Sequence, residues 1–342
     1  MTSRVPTSIG GTLPLVYGIV VGTNDRQWLH VCLETLLASN YPALRIIYVD
    51  NQSTDGSVTL VAEMFPQVMI LNSEANLGFA GANNKAMKLA LEQNASYVFL
   101  VNPDTRTPQH LVTRLVDFME MYLSYGIIGP LQYTYCDETA SRTLNAWSTE
   151  VLANGERHVF YRWEPWRLSP AGAPGQRADG TLEHAYVQGA AFFVRRIVLE
   201  RVGLFDETFH TFYEETDLCR LARWAGFRVA IVLDLSIEHW GGGQATSDGT
   251  GYRRYHMTRN KYYFLFTDAE YTVWQALHLA SRWFLLDVKL SLSAFDSTVC
   301  PFGQLLNIVW WLVSNMLLIR KQRVRRVNMY RRYKHCRELN SQ

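Results

Sequence analysis

The first hundred residues alternate between two hydrophobic patterns. Residues 15–21, 44–49, 68–71 and 97–101 are apolar runs typical of buried strands. The leucines between 29 and 37 instead recur at helical spacing. Strands that alternate with helices through short connections predict an α/β fold with a mostly parallel central sheet flanked by helices.

Polar side chains follow each predicted strand. Thr23 and Asn24 follow the first, Asp50 the second, Asn76 the third and Asp104 the fourth. Ligands of open α/β sheets bind outside the carboxyl ends of the strands, so we expect these residues to converge at a nucleotide-binding edge. The first strand is not followed by GxGxxG, which argues against a dinucleotide cofactor.

Asp104 and His239 are the candidate metal ligands. Asp104 directly follows the apolar run at 97–101 and Pro103, where a carboxylate can hold a divalent cation that in turn binds a diphosphate. A neutral ring nitrogen of His239 could be a second ligand. The alternatives are that Asp104 only caps a helix beginning near Pro108, and that His239 is structural.

Three acids, Glu214, Glu215 and Asp217, begin a helix whose apolar face covers residues 218–225. Aromatic residues precede them, and a partly buried carboxylate is a better proton acceptor near neutral pH. The alternative is three ordinary acids at a helix N-terminus. Further on, Arg253, Arg254, Arg259 and Lys261 either face a diphosphate or form a solvated helix face.

The chain divides into two predicted regions. Residues 1–268 form the catalytic-type α/β domain, interrupted by an insertion at about 132–185 where Pro, Gly and Trp are frequent. The aromatic residues of the insertion either line an acceptor site or pack it onto the domain. Residues 269–342 form a C-terminal helical region with an apolar, aromatic helix and a basic tail.

The C-terminal region has the composition of a membrane-associating extension. Residues 302–319 are mostly apolar with paired tryptophans, and 320–337 contain nine of the 33 basic residues and no acid. We expect an interfacial helix or hairpin on an anionic membrane. The alternative is a helical cap on the domain or in a homodimer interface. Because the rest of the chain is acidic, a nucleic-acid partner is not expected.

The five cysteines are scattered without a CxxC pair, which argues against a zinc site or a disulfide framework and for a reducing compartment. Residues 1–11 lack the apolar core of a signal peptide. The expected location is therefore the cytoplasmic face of the cell membrane, held peripherally, or the cytoplasm.

Several motifs occur in a recognisable order. They are 49–57 (VDNQSTDGS), 76–84 (NLGFAGANN), 100–104 (LVNPD), 189–191 (GAA), 203–207 (GLFDE), 214–218 (EETDL) and 259–260 (RN). Together they resemble the family 2 glycosyltransferases, which have a Rossmann-like GT-A fold. Within that family the chain is most similar to bacterial rhamnosyltransferase-type enzymes of cell-surface polysaccharide synthesis.

The resemblance implies an inverting transfer of a sugar from a nucleoside-diphosphate sugar to a hydroxyl of a lipid-linked or polysaccharide acceptor. dTDP-rhamnose is the favoured donor, with a UDP-hexose or galactofuranose donor as alternatives. By position, Thr23 and Asp50 would contact the base and ribose. The remaining nucleotide-binding set would be Asn24, Asn76, Gly78, Asn83, Asn102, Asp104 and Arg259.

The same resemblance assigns the metal and the base. Asn102-Pro103-Asp104 occupies the place of the family's DxD motif, so Asp104 would be the main carboxylate ligand of Mg²⁺ or Mn²⁺. His239 resembles a third ligand position. Glu214-Glu215 matches a Glu-Asp element whose second acid is the catalytic base, which implies Glu215, with Asp217 as the alternative.

Two other functions compete with this one. A sugar-phosphate nucleotidyltransferase would need a Gly-rich basic loop after the first strand, and residues 22–26 (GTNDR) are a poor version of it. A catalytically inactive sugar-nucleotide-binding protein would not need Asp104, Glu215 and Asp217.

Overall fold

The computed structural model describes residues 12–134, 179–183, 186–240, 249–292 and 302–340. Its strands and helices follow one another along the chain as predicted for an α/β protein. They are β1 (Val16–Gly22), α1 (Arg26–Leu37), β2 (Leu44–Asp50), α2 (Ser57–Met64), β3 (Met69–Asn72), α3 (Gly78–Glu92), β4 (Tyr97–Val101), β5 (Thr105–Arg106), α4 (Leu111–Met121), β6 (Tyr125–Thr134), β7 (Thr181–Glu183), β8 (Ala191–Arg195), α5 (Arg196–Val202), α6 (Glu214–Trp224), β9 (Arg228–His239), α7 (Gly249–Phe266), α8 (Val273–Leu292), α9 (Phe302–Ser314) and α10 (Met316–Asn340).

The strands form one sheet in the order β3-β2-β1-β4-β8-β6-β9-β5, with β7 also paired to β9. The first four strands are mutually parallel, as the short strand–helix connections predict. Beyond β4 the sheet is mixed, because β8 runs antiparallel to both β4 and β6 whereas β6 and β9 are parallel. The predicted α/β class is confirmed, and the parallel arrangement belongs to the half that carries the first polar clusters.

Helices cover both faces of the sheet and bury two hydrophobic cores. α3, α5 and α6 pack on one face, and α1, α2 and α4 pack on the other. Residues of β1 alternate between them: Tyr17 and Ile19 belong to the first core, and Val16 and Val20 to the second. A strand buried on both faces explains why the sequence of β1 is continuously apolar.

The apolar run at 227–233 predicts a strand that ends near Leu233, whereas β9 continues to His239. The register of β9 against β6 shifts between Val232 and Ser236, which marks a bulge. Leu235 and Ile237 are buried, and the polar residue Ser236 between them is half-buried. Such alternation is typical of a strand with one face against the core. The extension carries His239 to the carboxyl edge of β4.

The C-terminal helices pack on α7 and then return to the α/β domain. Residues of α7, α8 and α9 share a small hydrophobic core that includes Tyr262, Ala276 and Leu305. α9 and α10 meet at an angle of 65°. Among the described helices, none alone has the length and hydropathy needed to cross a membrane, although the bent pair α9–α10 meets both criteria together.

The predicted division at 268/269 stays a prediction. The predicted insertion at 132–185 lies mostly outside the described residues, which include only its two borders, the end of β6 and β7. Trp147, Trp163 and Trp166 lie outside the described residues as well.

Candidate active site

The residues predicted to contact the base and ribose lie together at the ends of β1 and β2. Asp50 is the last residue of β2, and its Oδ2 accepts a hydrogen bond from the Ser53 amide at 3.1 Å. The Asn24 amide donates to Ser53 Oγ at 3.0 Å. Thr23 Oγ1 donates to the Asn51 carbonyl at 3.3 Å. Two loops that are almost 30 residues apart in sequence therefore form one polar surface.

Asn51, which sequence reasoning missed, joins this surface to the third predicted loop. Its Nδ2 donates to Asn76 Oδ1 at 3.0 Å, and its Oδ1 accepts from the Leu77 amide at 2.8 Å. The same Asn76 oxygen accepts from the Gly78 amide at 2.9 Å. Asn76 and Gly78 are thereby fixed beside the Asp50 loop. The polar run after β2 indicated that Asn51 lies near the site, but it did not indicate that Asn76, 25 residues away, is its hydrogen-bond partner.

Asn83 lies inside α3 and is buried. Its Nδ2 donates to the Phe79 carbonyl one turn earlier, at 2.9 Å. Its role in nucleotide binding stays a prediction. The next residue, Asn84, is also buried and bonds the Phe205 carbonyl at 2.9 Å, which ties α3 to the segment that leads towards α6.

Asp104 and His239 meet because β5 pairs with the end of β9. Thr105 is opposite His239 in that antiparallel pair. As a result Asp104 Oδ1 lies 3.2 Å from His239 Nε2. Asn102 Nδ2 lies 3.5 Å from the same nitrogen. Asn102 Oδ1 is buried and has no hydrogen-bond partner among the described residues.

These three side chains fit a divalent cation that is shared with a ligand. The described residues contain no group of three or more His, Cys, Asp and Glu side chains able to enclose a metal. Mg²⁺ is commonly bound by only one or two carboxylates together with substrate phosphates and water. The carboxylate of Asp104, the imidazole of His239 and the unsatisfied amide oxygen of Asn102 form such a partial donor set.

Asp25 is a second acid near Asp104 that the sequence did not single out. Burial raises its pKa to about 7, a hydrogen bond from the Thr23 amide at 2.7 Å opposes that shift, and the charges of Asp104 and Asp55 reinforce it. Asp25 precedes α1 and Asp104 follows β4, 79 positions later in the chain, so their proximity could not be predicted from the sequence.

Glu214 and Glu215 begin α6 and form a carboxyl pair, in which Glu214 is buried and Glu215 is half-buried. Burial and the charge of Glu215 raise the pKa of Glu214 well above its ordinary value. Burial also raises the pKa of Glu215, but a hydrogen bond from the Glu214 carboxyl opposes that shift. Burial therefore favours a proton on the pair, and Glu215 is the member that ionises more readily. Neither Oε2 atom has a hydrogen-bond partner among the described residues.

Asp217 has a different environment from the two glutamates. It is buried and forms ion pairs through both oxygens, Oδ1 with Arg220 and Oδ2 with Arg326, the latter at 2.7 Å. Arg220 also pairs with Asp268 at 3.1 Å, and Arg326 with Asp206 at 2.8 Å. Asp217 thus joins α6 to α10.

Arg259 faces the segment before α6. Its Nη2 donates to the carbonyls of Thr208 at 2.9 Å and Phe209 at 2.7 Å. Its guanidinium carbon lies 4.7 Å from the ring centre of Trp311. The predicted contact of Arg259 with a diphosphate stays a prediction.

The model of the family described as "Glycosyl transferase family 2" matches residues 19–202, more than half of the chain. The chain belongs to glycosyl transferase family 2. The match covers β1 to α5, and hence the whole carboxyl edge of the parallel half-sheet. The GT-A type of α/β fold, predicted from the motifs, is thereby confirmed, and the chain is a glycosyltransferase.

Curated relatives in this glycosyltransferase family include an N-acetylglucosaminyl-diphospho-decaprenol L-rhamnosyltransferase of Mycobacterium tuberculosis, 26% identical over 59% of this chain and 68% of the relative. Another is the low-salt glycan biosynthesis hexosyltransferase Agl10 of Haloferax volcanii, 27% identical over 45% of each protein. The predicted similarity to rhamnosyltransferase-type members is confirmed.

Solved structures share the fold. The mannosyltransferase PcManGT of Pyrobaculum calidifontis, in complex with GDP-Man and Mn²⁺, has a TM-score of 0.55 and 17% identity and covers 94% of this chain and 86% of its own. GalNAc-T7 with UDP, GalNAc and Mn²⁺ has a TM-score of 0.52 and 12% identity, covering 74% of this chain and 51% of its own. At these identities the likeness concerns the fold alone.

Proposed function

We propose that this family 2 glycosyltransferase moves rhamnose, with inversion, from dTDP-rhamnose to a hydroxyl of a lipid-linked acceptor in cell-surface glycan synthesis. The observation that carries the proposal is the Glu214–Glu215 pair at the N-terminus of α6, in which each carboxyl has one buried oxygen without a hydrogen-bond partner among the described residues. The rhamnosyl donor and lipid-linked acceptor are supported by the name of the mycobacterial relative.

The nucleotide would bind along the edge formed by Thr23, Asn24, Asp50 and Asn76. Asp50 is held by the Ser53 amide, and Asn76 by Asn51, so that little ordering remains to be done on binding. Gly78 would shape the end of this edge near the diphosphate, because its φ of +67° and its close approach to His210 leave no room for a side chain.

Asp104 and His239, with Asn102 beside them, would hold Mg²⁺ or Mn²⁺. When bound, such a cation would neutralise charge that develops on the departing nucleoside diphosphate. The short strand β5 follows Asp104 at once and pairs with β9, and this pairing, which brings Asp104 to His239, supports the proposed role.

Glu215 would be the base. Its carboxylate takes the proton of the acceptor hydroxyl, whose oxygen attacks the anomeric carbon from the face opposite the diphosphate. The new glycosidic bond forms as the bond to the nucleoside diphosphate breaks. Asp217 is unsuited to this role because Arg220 and Arg326 occupy its two oxygens. Removing a general base typically lowers the rate by about 10²–10⁴-fold.

The C-terminal helices would bind the cytoplasmic face of the membrane peripherally. The large apolar side chains Trp274, Leu285, Trp310 and Leu317 are between 70% and 81% exposed on α8, α9 and α10. Six basic residues of α10 are also exposed, namely Arg320, Lys321, Arg325, Arg331, Arg332 and Lys334. Apolar burial together with attraction to anionic lipids is the combination used by interfacial helices.

The deciding experiment combines ligand binding with product analysis. Thermal shifts are measured with dTDP, UDP and GDP, with and without Mn²⁺, on wild type, Asp104→Ala and the control Asp234→Ala, which removes an exposed carboxylate. We expect a Mn²⁺-dependent shift with dTDP that Asp104→Ala alone loses. A thermal shift with UDP or GDP only would show that the donor carries that nucleotide, and would contradict dTDP-rhamnose as the donor.

Transfer is then assayed with dTDP-rhamnose and N-acetylglucosaminyl-diphospho-prenol. We expect release of dTDP and an elongated acceptor. A parallel assay supplies dTTP and a sugar 1-phosphate, and release of pyrophosphate from that mixture would instead identify a nucleotidyltransferase. Donor binding without transfer to this acceptor or to glycan acceptors would identify a sugar-nucleotide-binding protein.

A further inference from the structure

The segment that leads into the carboxyl pair has an unusual backbone. His210, Phe212 and Tyr213 have φ angles of +63°, +66° and +76°, and the helix with Glu214 and Glu215 follows immediately. Residues other than glycine held in this region each cost of order 1–3 kcal/mol and persist only where the surroundings impose the conformation. The question is which part of the molecule imposes it.

Asn260 of α7 makes the contacts that hold this backbone. Its side chain is fully buried, and its Nδ2 lies 2.9 Å from the Phe209 carbonyl and 2.7 Å from those of Thr211 and Phe212. One amide group thus reaches three carbonyls within four consecutive residues, although it carries only two hydrogens.

Arg259 orients that amide. Its Nε donates to Asn260 Oδ1 at 2.8 Å, so the oxygen faces the guanidinium and the nitrogen faces the carbonyls. Arg259 also bonds the Thr208 and Phe209 carbonyls itself. Arg259 and Asn260 of α7 together hold the segment 208–212 by hydrogen bonds to its carbonyl groups.

The opposite side of the segment touches the nucleotide side of the site. The His210 carbonyl accepts a hydrogen bond from the Ala80 amide at 3.0 Å, and a Cβ on Gly78 would lie only 2.4 Å from that carbonyl oxygen. The segment 208–212 therefore spans from α7 to the start of α3. Its conformation sets how far Glu215 stands from a donor held at Gly78.

We propose that Asn260 is a positioning residue: by sharing its two amide hydrogens among the Phe209, Thr211 and Phe212 carbonyls it holds the strained segment that aims Glu215 at the acceptor hydroxyl. This inference rests on the proposed function, in which Glu215 is the base. Small displacements of a reacting group lower rates strongly, by as much as about 10²-fold for 1 Å. Binding of the donor depends on other residues and would be retained.

Two substitutions separate hydrogen-bond donation from packing. Asn260→Ala removes the side chain, whereas Asn260→Asp keeps its shape and the acceptor facing Arg259 but cannot donate from the ionised form. Arg196→Ala is the matched control, because Arg196 likewise donates to two backbone carbonyls, those of Leu91 and Ala95, at the other end of β4. All four proteins are assayed for kcat and donor KM with dTDP-rhamnose and N-acetylglucosaminyl-diphospho-prenol, or with the donor that the binding experiment selects.

We expect kcat to fall about 10²-fold in both Asn260 variants, with donor KM within about threefold of wild type and little change in Arg196→Ala. Hydrogen exchange of the amides at 209–213 should accelerate at least tenfold in the Asn260 variants only. Recovery of kcat in Asn260→Asp, or kcat within threefold of wild type in Asn260→Ala, would overturn the proposal. So would a rise in KM at unchanged kcat.

Should Asn260→Ala fail to fold, Asn260→Ala with Phe212→Gly supplies a second test, because glycine adopts a positive φ without strain. The double variant should regain stability but not kcat, and full recovery of kcat would contradict a positioning role. Absence of transfer by the wild type with every donor would instead reject the proposed function, so the two failures are distinguishable.

Discussion

Nη2 of Arg326 lies 2.7 Å from Oδ2 of Asp217, a contact that joins residues 109 positions apart. Arg326 belongs to the basic C-terminal segment, and Asp217 to the acidic motif at the start of α6. Arg323, three residues earlier, donates to the Phe266 and Asp268 carbonyls, each at 2.9 Å. The basic segment is therefore part of the folded enzyme, and only some of its charges are exposed.

Arg326→Ala should lower the free energy of unfolding by about 3–5 kcal/mol, because it leaves Asp206 and Asp217 buried without their partner. Arg325→Ala, which removes an exposed neighbour, should change it by no more than about 0.5 kcal/mol. Urea unfolding measures both. A loss below about 1 kcal/mol for Arg326→Ala would mean that α10 does not hold this position in solution.

Glu214→Gln should lower activity far less than Glu215→Gln. Glutamine at 214 still donates a hydrogen bond to Glu215, as the protonated Glu214 does, so transfer should remain within about tenfold of wild type. Glutamine at 215 removes the proton acceptor and should lower kcat by about 10²–10⁴-fold. Equal losses in both isosteric variants, with thermal stability kept, would mean that the pair acts as a unit and that Glu215 is not the base by itself.

The raised pKa values of this pair make both activity and stability depend on pH. The base works ionised, so kcat should rise with pH through a midpoint above 4.5, the ordinary value for glutamate. The folded state keeps the Glu214 proton more tightly than the unfolded chain does. The free energy of unfolding should therefore fall as pH rises above 4.5, by at most about 1.4 kcal/mol per pH unit for one proton.

Glu214→Gln removes that titration, so its stability relative to wild type should improve between pH 4.5 and 7.5. Denaturant unfolding of the two proteins at both pH values measures the difference. A gap that stays constant across this range would show that the pKa of Glu214 is ordinary in the folded enzyme.

Gly78→Ala should be much more damaging than Gly226→Ala. Both glycines have positive φ, +67° and +92°, so both variants bear the strain of an L-residue there, about 1–2 kcal/mol. A Cβ at Gly226 meets nothing within 4 Å, whereas one at Gly78 would lie 2.4 Å from the His210 carbonyl oxygen. We expect only Gly78→Ala to weaken nucleotide binding, measured by calorimetry, and similar binding by both variants would refute the role of this contact.

Trp310 and Trp311 offer a matched pair for membrane binding. Trp310 is 72% exposed, whereas Trp311 stacks on Arg259 and lies 6.0 Å from the Tyr263 ring centre. Trp310→Ala should weaken binding to anionic vesicles at low salt by about tenfold or more and leave the unfolding temperature unchanged. Trp311→Ala should lower that temperature. If the wild type ignores vesicles and sediments as a dimer, the exposed apolar face is a subunit interface.

The spacing of apolar residues, together with the polar, glycine and proline residues between the apolar runs, was sufficient to locate most elements of the α/β domain. The boundaries of β4 agree residue for residue with the apolar run at 97–101, because a buried strand flanked by polar residues leaves little ambiguity. The predicted strand at 227–233 is shorter than β9 because the last residues of β9 follow a bulge. Neither residue propensity nor the hydrophobic pattern predicts the position of a bulge.

For the candidate site, the sequence was enough to predict which residues lie at the end of which strand. Thr23, Asp50, Asn76 and Asp104 all lie at the strand ends where they were expected. Contacts that depend on long-range pairing were not predictable. Asn51 with Asn76, Asn260 with the segment before α6, and Arg326 with Asp217 are examples, since nothing local to either partner specifies the other.

The consecutive residues Trp310 and Trp311 also fix a length scale for the reaction. The Trp310 side chain faces outward and Trp311 touches Arg259 of α7, which donates to carbonyls of the segment before Glu214. The thickness of α9 and the Arg259 side chain therefore lie between the exterior and the proposed catalytic carboxylates. A helix with its side chains is about 10–12 Å across. If the proposed acceptor is anchored in a bilayer against α9, it must raise its reactive hydroxyl by at least that height. An acceptor that does so through its polar head would keep its lipid chain in the bilayer throughout the transfer.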